Sequence, residues 1–265
     1  MKKKTILLTG DDGYNSLGTR VLVHYLKNEF ILTIAGTLKQ QSGVGGHKHI
    51  MEGGSWGEDM VDGIPALWLD GSPVDVMEAA RVHFSKPFDY CISGINWGTN
   101  IDGCLYSSGT FSAAYYAKTL GLARKVIAIS WDLPSKHHFV RHAHSDSLEQ
   151  FLIHPGESAH LVLQKTLAAD LWGADIVNIN IPTNKTDTIE YATPLSSSHG
   201  FWPLIILDNT THLFSYGHRD HSQSMGDVLS ETQVLQRNHI AVVPCQATMF
   251  DKPVYKEMVK SSNIK

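Results

Sequence analysis

Residues 5–13 read Thr5-Ile6-Leu7-Leu8-Thr9-Gly10-Asp11-Asp12-Gly13, a short apolar, β-rich run that ends in a glycine and two adjacent carboxylates. An amphipathic stretch from about Leu17 to Asn28 follows, and then a second β-rich run from Phe30 to Ala35. Strand, helical pattern and strand in that order predict a βαβ unit. The alternation continues downstream. Ser72-Pro73 pairs an N-cap residue with a first-turn proline and predicts a helix through Val76, Met77, Ala80 and Val82 toward Phe84. Phe88 to Ser93 reads as a strand. Thr110 is the predicted cap of a helix running through Ala113, Ala114 and Ala117 to Leu120, with the strand Lys125 to Ser130 after it.

Beyond Ser130 the pattern loosens. A histidine-rich segment (His137, His138, His142, His144) precedes a predicted helix from Glu157 to Leu171 and a strand from Asp175 to Ile181 ended by Pro182. Short β-rich runs follow at Ile189 to Thr193, Leu204 to Leu207, His212 to Tyr216 and Ile240 to Val243. The expectation is an α/β fold, a Rossmann-like three-layer sandwich around a mostly parallel sheet, with a C-terminal β-hairpin extension for oligomer contact. Residues 1–265 read as a single domain. Residues 1–130 form the core that carries the site, and 131–265 complete the sheet and supply the extension.

Composition narrows the function classes. The 265 residues carry 22 basic and 26 acidic side chains, a formal charge of −4, with 42% hydrophobic and only 18% charged residues. Such a chain buries a large core. No long basic run is present, which argues against duplex nucleic acid as a partner. Cys91, Cys104 and Cys245 are few, odd in number and far apart, so they predict neither a disulfide framework nor a zinc ribbon. The longest apolar run, Ala113 to Ala117, is far short of the ~20 residues of a membrane helix. Asp11 and Asp12 interrupt the N-terminal apolar stretch too early for a signal-peptide core, and a cytoplasmic protein without membrane partners is expected.

In a parallel sheet, ligands sit beyond the carboxyl ends of the strands, so the loops after strands carry the chemistry. Asp11 and Asp12, after the first strand, would repel each other unless a divalent cation joined them. An Asx turn opening the first helix accounts for the same residues. After the second strand comes Gln40-Gln41-Ser42-Gly43-Val44-Gly45-Gly46-His47, in which glycine backbone suits an anion and Ser42 offers oxygen to a hard cation. A flexible surface loop fits equally. After the third comes Ser93-Gly94-Ile95-Asn96-Trp97-Gly98-Thr99-Asn100, continuing to Ser107-Ser108-Gly109-Thr110 at a predicted helix start. Asn96 and Asn100 supply amides, and a helix N-terminus with Ser108 and Thr110 hydroxyls suits a phosphate. Ordinary turn and cap chemistry remains the competing account.

This ordered set resembles the SurE (survival protein E) nucleoside monophosphate phosphatases, whose N-terminal halves read T-N-D-D-G, Q-S-G, S-G-I-N-x-G-x-N and S-G-T. The matching text is Thr9 to Gly13, Gln41 to Gly43, Ser93 to Asn100 and Ser108 to Thr110, with Gly71-Ser72-Pro73 similar to that family's G-T-P helix start. Asn178-Ile179-Asn180-Ile181-Pro182 is similar to its N-V-N-I-P segment, and Ile240 to Pro244 to its late strand. The resemblance implies a cation held by Asp11, Asp12, Ser42 and Asn96, with Mg2+ and Mn2+ equally acceptable to such oxygens. Asp11 and Asp12 are the candidate catalytic residues, and Gly43, Asn96, Asn100, Ser108, Gly109 and Thr110 the candidate phosphate binders. The resemblance also implies a homodimer or homotetramer. Two departures stand out: Gly10 replaces the family's usual asparagine, and Gly36-Thr37 replaces an Ala-Pro pair.

Two other signals point elsewhere. Gly53-Gly54-Ser55-Trp56-Gly57 matches the G-x-S-x-G nucleophile elbow, but without the buried strand and following helix that motif needs. The histidines, including His218-Arg219-Asp220-His221, match neither H-E-x-x-H nor a Cys/His module. The resulting expectation is a metal-dependent phosphomonoesterase acting on nucleoside 5′-monophosphates. The competing readings are a nucleotide-binding or regulatory protein with an inactive site, and a phosphatase for 3′-nucleotides or short polyphosphate.

Overall fold

The computed structural model describes residues 2–134, 137, 147–169, 174–194, 205–216, 229–247 and 256–258. In chain order the first half runs β1 (Thr5–Thr9), α1 (Leu17–Leu26), β2 (Ile31–Thr37), β3 (Trp56–Val61), β4 (Ile64–Leu69), α2 (Pro73–His83), β5 (Phe88–Trp97), a 3-10 turn (Asp102–Tyr106), α3 (Gly109–Thr119) and β6 (Ala123–Trp131). A short turn α4 (Glu149–Phe151), α5 (Glu157–Ala168), β7 (Ile176–Ile181), β8 (Ile189–Tyr191), β9 (Ile205–Asp208), β10 (Leu213–Tyr216), α6 (Glu231–Gln236) and β11 (Ile240–Cys245) complete it.

Among the described residues nine strands form one sheet in the order β3-β4-β2-β1-β5-β6-β7-β11-β8, with β4 to β7 parallel throughout. Strand β3 pairs antiparallel to β4 at one end, and β11 antiparallel to β7 near the other. The expected mostly parallel α/β architecture is therefore present. The chain steps from β1 outward to β2 and returns to β5 on the other side of β1, so the strand order reverses at β1 and β5. Such a switch point leaves a crevice at the carboxyl ends of the strands.

Helices cover both faces, as the side-chain alternation of β1 requires. Ile6 and Leu8 pack with Leu17, Val21, Leu22 and Leu26 of α1 and with Val162 and Leu163 of α5. Leu7 faces the other way, onto Val76, Met77 and Ala80 of α2 and Ala113, Ala114 and Ala117 of α3. Burying a residue such as Leu7 fully is worth about 1.5–3 kcal/mol. The hairpin β9–β10 stands as a separate two-stranded sheet, with Ile205, Ile206, Leu207, Leu213 and Phe214 all more than half exposed. No described helix is long and apolar enough to cross a membrane.

Capping explains the helix starts. Ser72 and Asp75 form a reciprocal capping box with Pro73 in the first turn of α2. Ser16, not an aspartate, caps α1 by accepting from the Thr19 amide, so the Asx-turn account of Asp11 and Asp12 does not hold. The cap of α3 is Ser108, which accepts from the Phe111 amide at 2.9 Å, and Thr110 lies inside the first turn instead. Strand β5 runs past Ser93 to Trp97, because Asn96 and Trp97 pair with Ser130 and Trp131 beyond a register shift. Asn96 therefore sits in a strand end rather than a loop. The Ser55 elbow pattern precedes the exposed edge strand β3, and no helix follows it. The three cysteines are free. Helix α5 ends at Ala168. His138, His142, His144 and residues 218–221 lie outside the described residues.

Candidate metal and phosphate site

The carboxyl ends of β1, β2 and β5 bring three distant segments together. Gly10, Asp11 and Asp12 line one small cleft with Gly94, Ile95 and Asn96. The loop after β2 is drawn onto the same edge, since the Gln41 amide donates to the Asp11 carbonyl at 2.7 Å. Gln40 Nε2 donates both to Asp12 Oδ1 at 3.0 Å and to Ser42 Oγ at 3.2 Å, so one amide group ties Ser42 to the second carboxylate. The Trp97 amide donates to Asp12 Oδ2 at 3.0 Å.

Asp11 faces the start of α3. Thr110 Oγ1 donates to Asp11 Oδ1. A Cβ on Gly109 would stand 2.7 Å from Asp11 Oδ2, closer than real Cβ atoms come, so only glycine lets the helix start this near the carboxylate. Ser93 Oγ donates to the Thr110 carbonyl at 2.8 Å and anchors the same turn to β5. Asp11 accepts from the Thr110 backbone amide as well, so hydroxyl and amide of Thr110 both hold the carboxylate. The glycine loop closes over this end, with the Gly45 amide donating to the Ser107 carbonyl at 2.9 Å and Gly45 and Gly43 both at positive φ.

Asp11 and Asp12 are 4% and 8% exposed, and no lysine, arginine or histidine offsets either among the described residues. Burial pushes both pKa values up, and the charge of Asp11 raises Asp12 further. A cation removes that cost for both. Asn96 Nδ2 donates to the Gly98 carbonyl at 2.6 Å, which leaves Oδ1 as the amide's open acceptor. Among the described residues no three His, Cys, Asp or Glu side chains gather into a metal site, so a cation here would draw on serine and asparagine as well. Two uncompensated carboxylates, an amide oxygen and a hydroxyl are hard donors, and they fit Mg2+ or Mn2+.

Asn100 is turned inward. Its Nδ2 donates to Ser130 Oγ at 2.8 Å, its amide donates to Asn180 Oδ1 at 3.0 Å, and its carbonyl accepts from Asn178 and Asn180. Gln40, the Trp97 amide and the Asn178–Asn180 pair were not singled out for the site by the sequence patterns. Only the last has a signal, two asparagines alternating within an apolar strand, which places two amides on one buried face.

A model of the family described as survival protein SurE matches residues 6–200. A protein of Archaeoglobus fulgidus named 5′-nucleotidase SurE is 33% identical over 187 residues, 69% of each chain. One of Brevibacillus brevis with the same name is 29% identical over 276 aligned positions, covering 96% of this chain and 94% of its own length. The crystal structure of the SurE protein from Aquifex aeolicus superposes with a TM-score of 0.71 at 21% identity, covering 97% of this chain and 98% of that one, a likeness of fold. With the family matched over most of its length and the fold shared end to end, this chain belongs to the SurE family.

Proposed function

We propose that this chain is a metal-dependent phosphomonoesterase that hydrolyses nucleoside 5′-monophosphates to nucleoside and phosphate. The observation that carries the reading is the convergence of Asp11, Asp12 and Asn96 on one cleft, with both carboxylates buried and without counter-charge. The names of the relatives support the substrate class. Asp11, Asp12, Ser42 and Asn96 hold one divalent cation, Mg2+ or Mn2+. When bound, such a cation polarises a phosphoryl oxygen and lowers the pKa of water.

The protein's own groups supply position. Asp11, fixed by Thr110, orients the attacking water. Water adds to phosphorus, the P–O bond to the nucleoside breaks, and the proton that the water gives up ends on the leaving alkoxide. The Gly109 amide and the Ser108 hydroxyl bind phosphate oxygens, with Gly43 backbone and the second Nδ2 hydrogens of Asn96 and Asn100 closing the ring of donors. Thr110 serves the site through Asp11, which its hydroxyl and its amide both hold.

Residues 1–265 act as one domain, since β7, β11 and β8 extend the same sheet. The apolar, exposed β9–β10 hairpin supports a homodimer or homotetramer in which a second copy covers it. The deciding experiment is release of phosphate from AMP and GMP with Mn2+ or Mg2+, compared with EDTA. Metal-dependent release is expected, with 5′-monophosphates preferred over a 3′-nucleotide and tripolyphosphate. No release from any of them would leave a binding protein.

A further inference from the structure

Glu231 opens α6 and is fully buried, as are Asn178 and Asn180 of β7. Its Oε2 accepts from Asn178 Nδ2 at 3.0 Å and from Asn180 Nδ2 at 2.9 Å. Each of those amide nitrogens spends its second hydrogen on the Asn100 carbonyl, at 2.8 and 2.9 Å. Asn180 Oδ1 then accepts from the Asn100 amide. The main chain of Asn100 is thus gripped at both its N–H and its C=O by side chains that Glu231 holds.

The hydrogen inventory gives Glu231 its job. An asparagine amide fits its site either way round, and only its partners decide which end is the nitrogen. Glu231 Oε2 accepts from both side chains, so it turns both nitrogens toward itself and toward the Asn100 carbonyl. Asn178 Oδ1 has no partner among the described residues, so nothing on its oxygen side sets that amide. A well-packed apolar group in place of Glu231 would avoid the desolvation of a buried carboxyl group. It would leave the Asn178 amide held by the Asn100 carbonyl alone and both asparagine nitrogens one acceptor short.

We propose that Glu231 is a positioning residue for the phosphate-binding end of the site, fixing the amides of Asn178 and Asn180 and through them the main chain of Asn100. The inference rests on the role given to Asn100 in the proposed phosphatase. It makes the short helix α6 part of the site's scaffold, although it contributes no group to the cleft.

The test uses the full chain, Glu231→Ala and Glu231→Gln. The readouts are KM and kcat for AMP, the Kd for orthophosphate by calorimetry in Mn2+, and the Kd for Mn2+. In Glu231→Ala, KM and the phosphate Kd should both rise about 10- to 100-fold while the Mn2+ Kd stays within about twofold. Glu231→Gln keeps an acceptor oxygen of the same reach and should recover most of the loss. A folded Glu231→Ala with unchanged KM and phosphate Kd overturns the proposal. So does a loss in kcat alone that follows the folded fraction, the mark of a merely structural role. If Glu231→Ala does not fold, Asn178→Ala removes one of the two grips on Asn100 and should raise the phosphate Kd, and wild-type affinity there is equally fatal. A wild-type protein that binds phosphate but hydrolyses no nucleotide refutes the phosphatase reading, and the phosphate Kd values of the variants still decide the role of Glu231. A wild type that binds no phosphate overturns both.

Discussion

Gly109 and Asp11 are in contact with no room between them: a Cβ on Gly109 would lie 2.7 Å from Asp11 Oδ2 and 2.9 Å from its Cγ. The first turn of α3 and the carboxylate after β1 therefore fix each other's position. Gly109→Ala should force one of them aside at a cost of about 1–3 kcal/mol, the usual range for overpacking. Mn2+ affinity and phosphate release should both drop at least about tenfold. Thermal melts with Mn2+ titration check the pair. A variant with normal metal affinity would mean that Asp11 has slack the geometry does not provide.

Asp12→Asn removes one of two buried like charges. Without metal the variant should melt at or above the wild-type temperature, because the repulsion is gone and Gln40 can turn its amide to accept from the new Nδ2. With Mn2+ at about 100 times its Kd the wild type should gain roughly 2.7 kcal/mol and the variant far less. Turnover should fall at least about 100-fold. Calorimetric melts with and without Mn2+ give the stability terms, and phosphate release gives the rate.

Gly10 has space. A Cβ there would meet the Gly94 amide nitrogen at 3.5 Å, an ordinary contact. Gly10→Asn, which restores the asparagine usual in the family, should change stability by no more than about 0.5 kcal/mol. Its effect should appear in the ranking of AMP, GMP, CMP and UMP by kcat/KM. An unaltered ranking would show that Gly10 does not set base preference.

Asp89 joins the starts of β1 and β5. Its Oδ2 accepts from the Thr5 amide at 2.9 Å and from Thr5 Oγ1 at 3.1 Å. The Thr5 amide is the main cause of a pKa below the usual carboxylate range. A lowered folded-state pKa means the contribution is complete above the unfolded value of about 3.9 and is lost as pH falls through the folded one. Asp89→Asn should thus cost about 1–2 kcal/mol near neutral pH. The gap between variant and wild type should close below about pH 4. Urea melts across pH 3–7 measure it, and a gap that widens on acidification would reverse the sign.

Leu207 and Phe214 pair across the β9–β10 hairpin, both about two-thirds exposed. If a second copy covers them, Leu207→Asp with Phe214→Asp should convert the assembly to monomer in light scattering. An unchanged mass would put the interface elsewhere.

Much of this arrangement is written locally in the sequence. The run Ile6 to Leu8 and the Ser72-Pro73 cap carry strong, short-range signals, and both elements form where those signals lie. Strand β5 extends beyond Ser93 for a non-local reason, its pairing with β6, which no window around Gly94 contains. The β3–β4 hairpin escaped the apolar pattern because Glu58 and Asp59 sit on an exposed edge strand. Its turn was nevertheless legible: Asp62-Gly63, both at positive φ, is the two-residue type that joins tight hairpins. Helix α6 likewise announces itself by Ser230 and Gln233, a capping box three residues apart. Within the site, Asp11, Asp12 and Asn96 stand out as chemistry at strand ends. Gln40 does not, since nothing in its own neighbourhood marks a glutamine that reaches across to another loop.

The sheet's far edge sets an order of assembly. Among the described residues β8 hydrogen-bonds to β11 alone, and β11 also covers the outer side of β7, yet about fifty residues separate β8 from β11 along the chain. A ribosome that has delivered β8 has not yet delivered its partner, so the nascent protein carries β7 as a bare sheet edge until β11 emerges. Premature stop codons or stalling in that interval should therefore yield aggregating or chaperone-held chains rather than shortened enzymes.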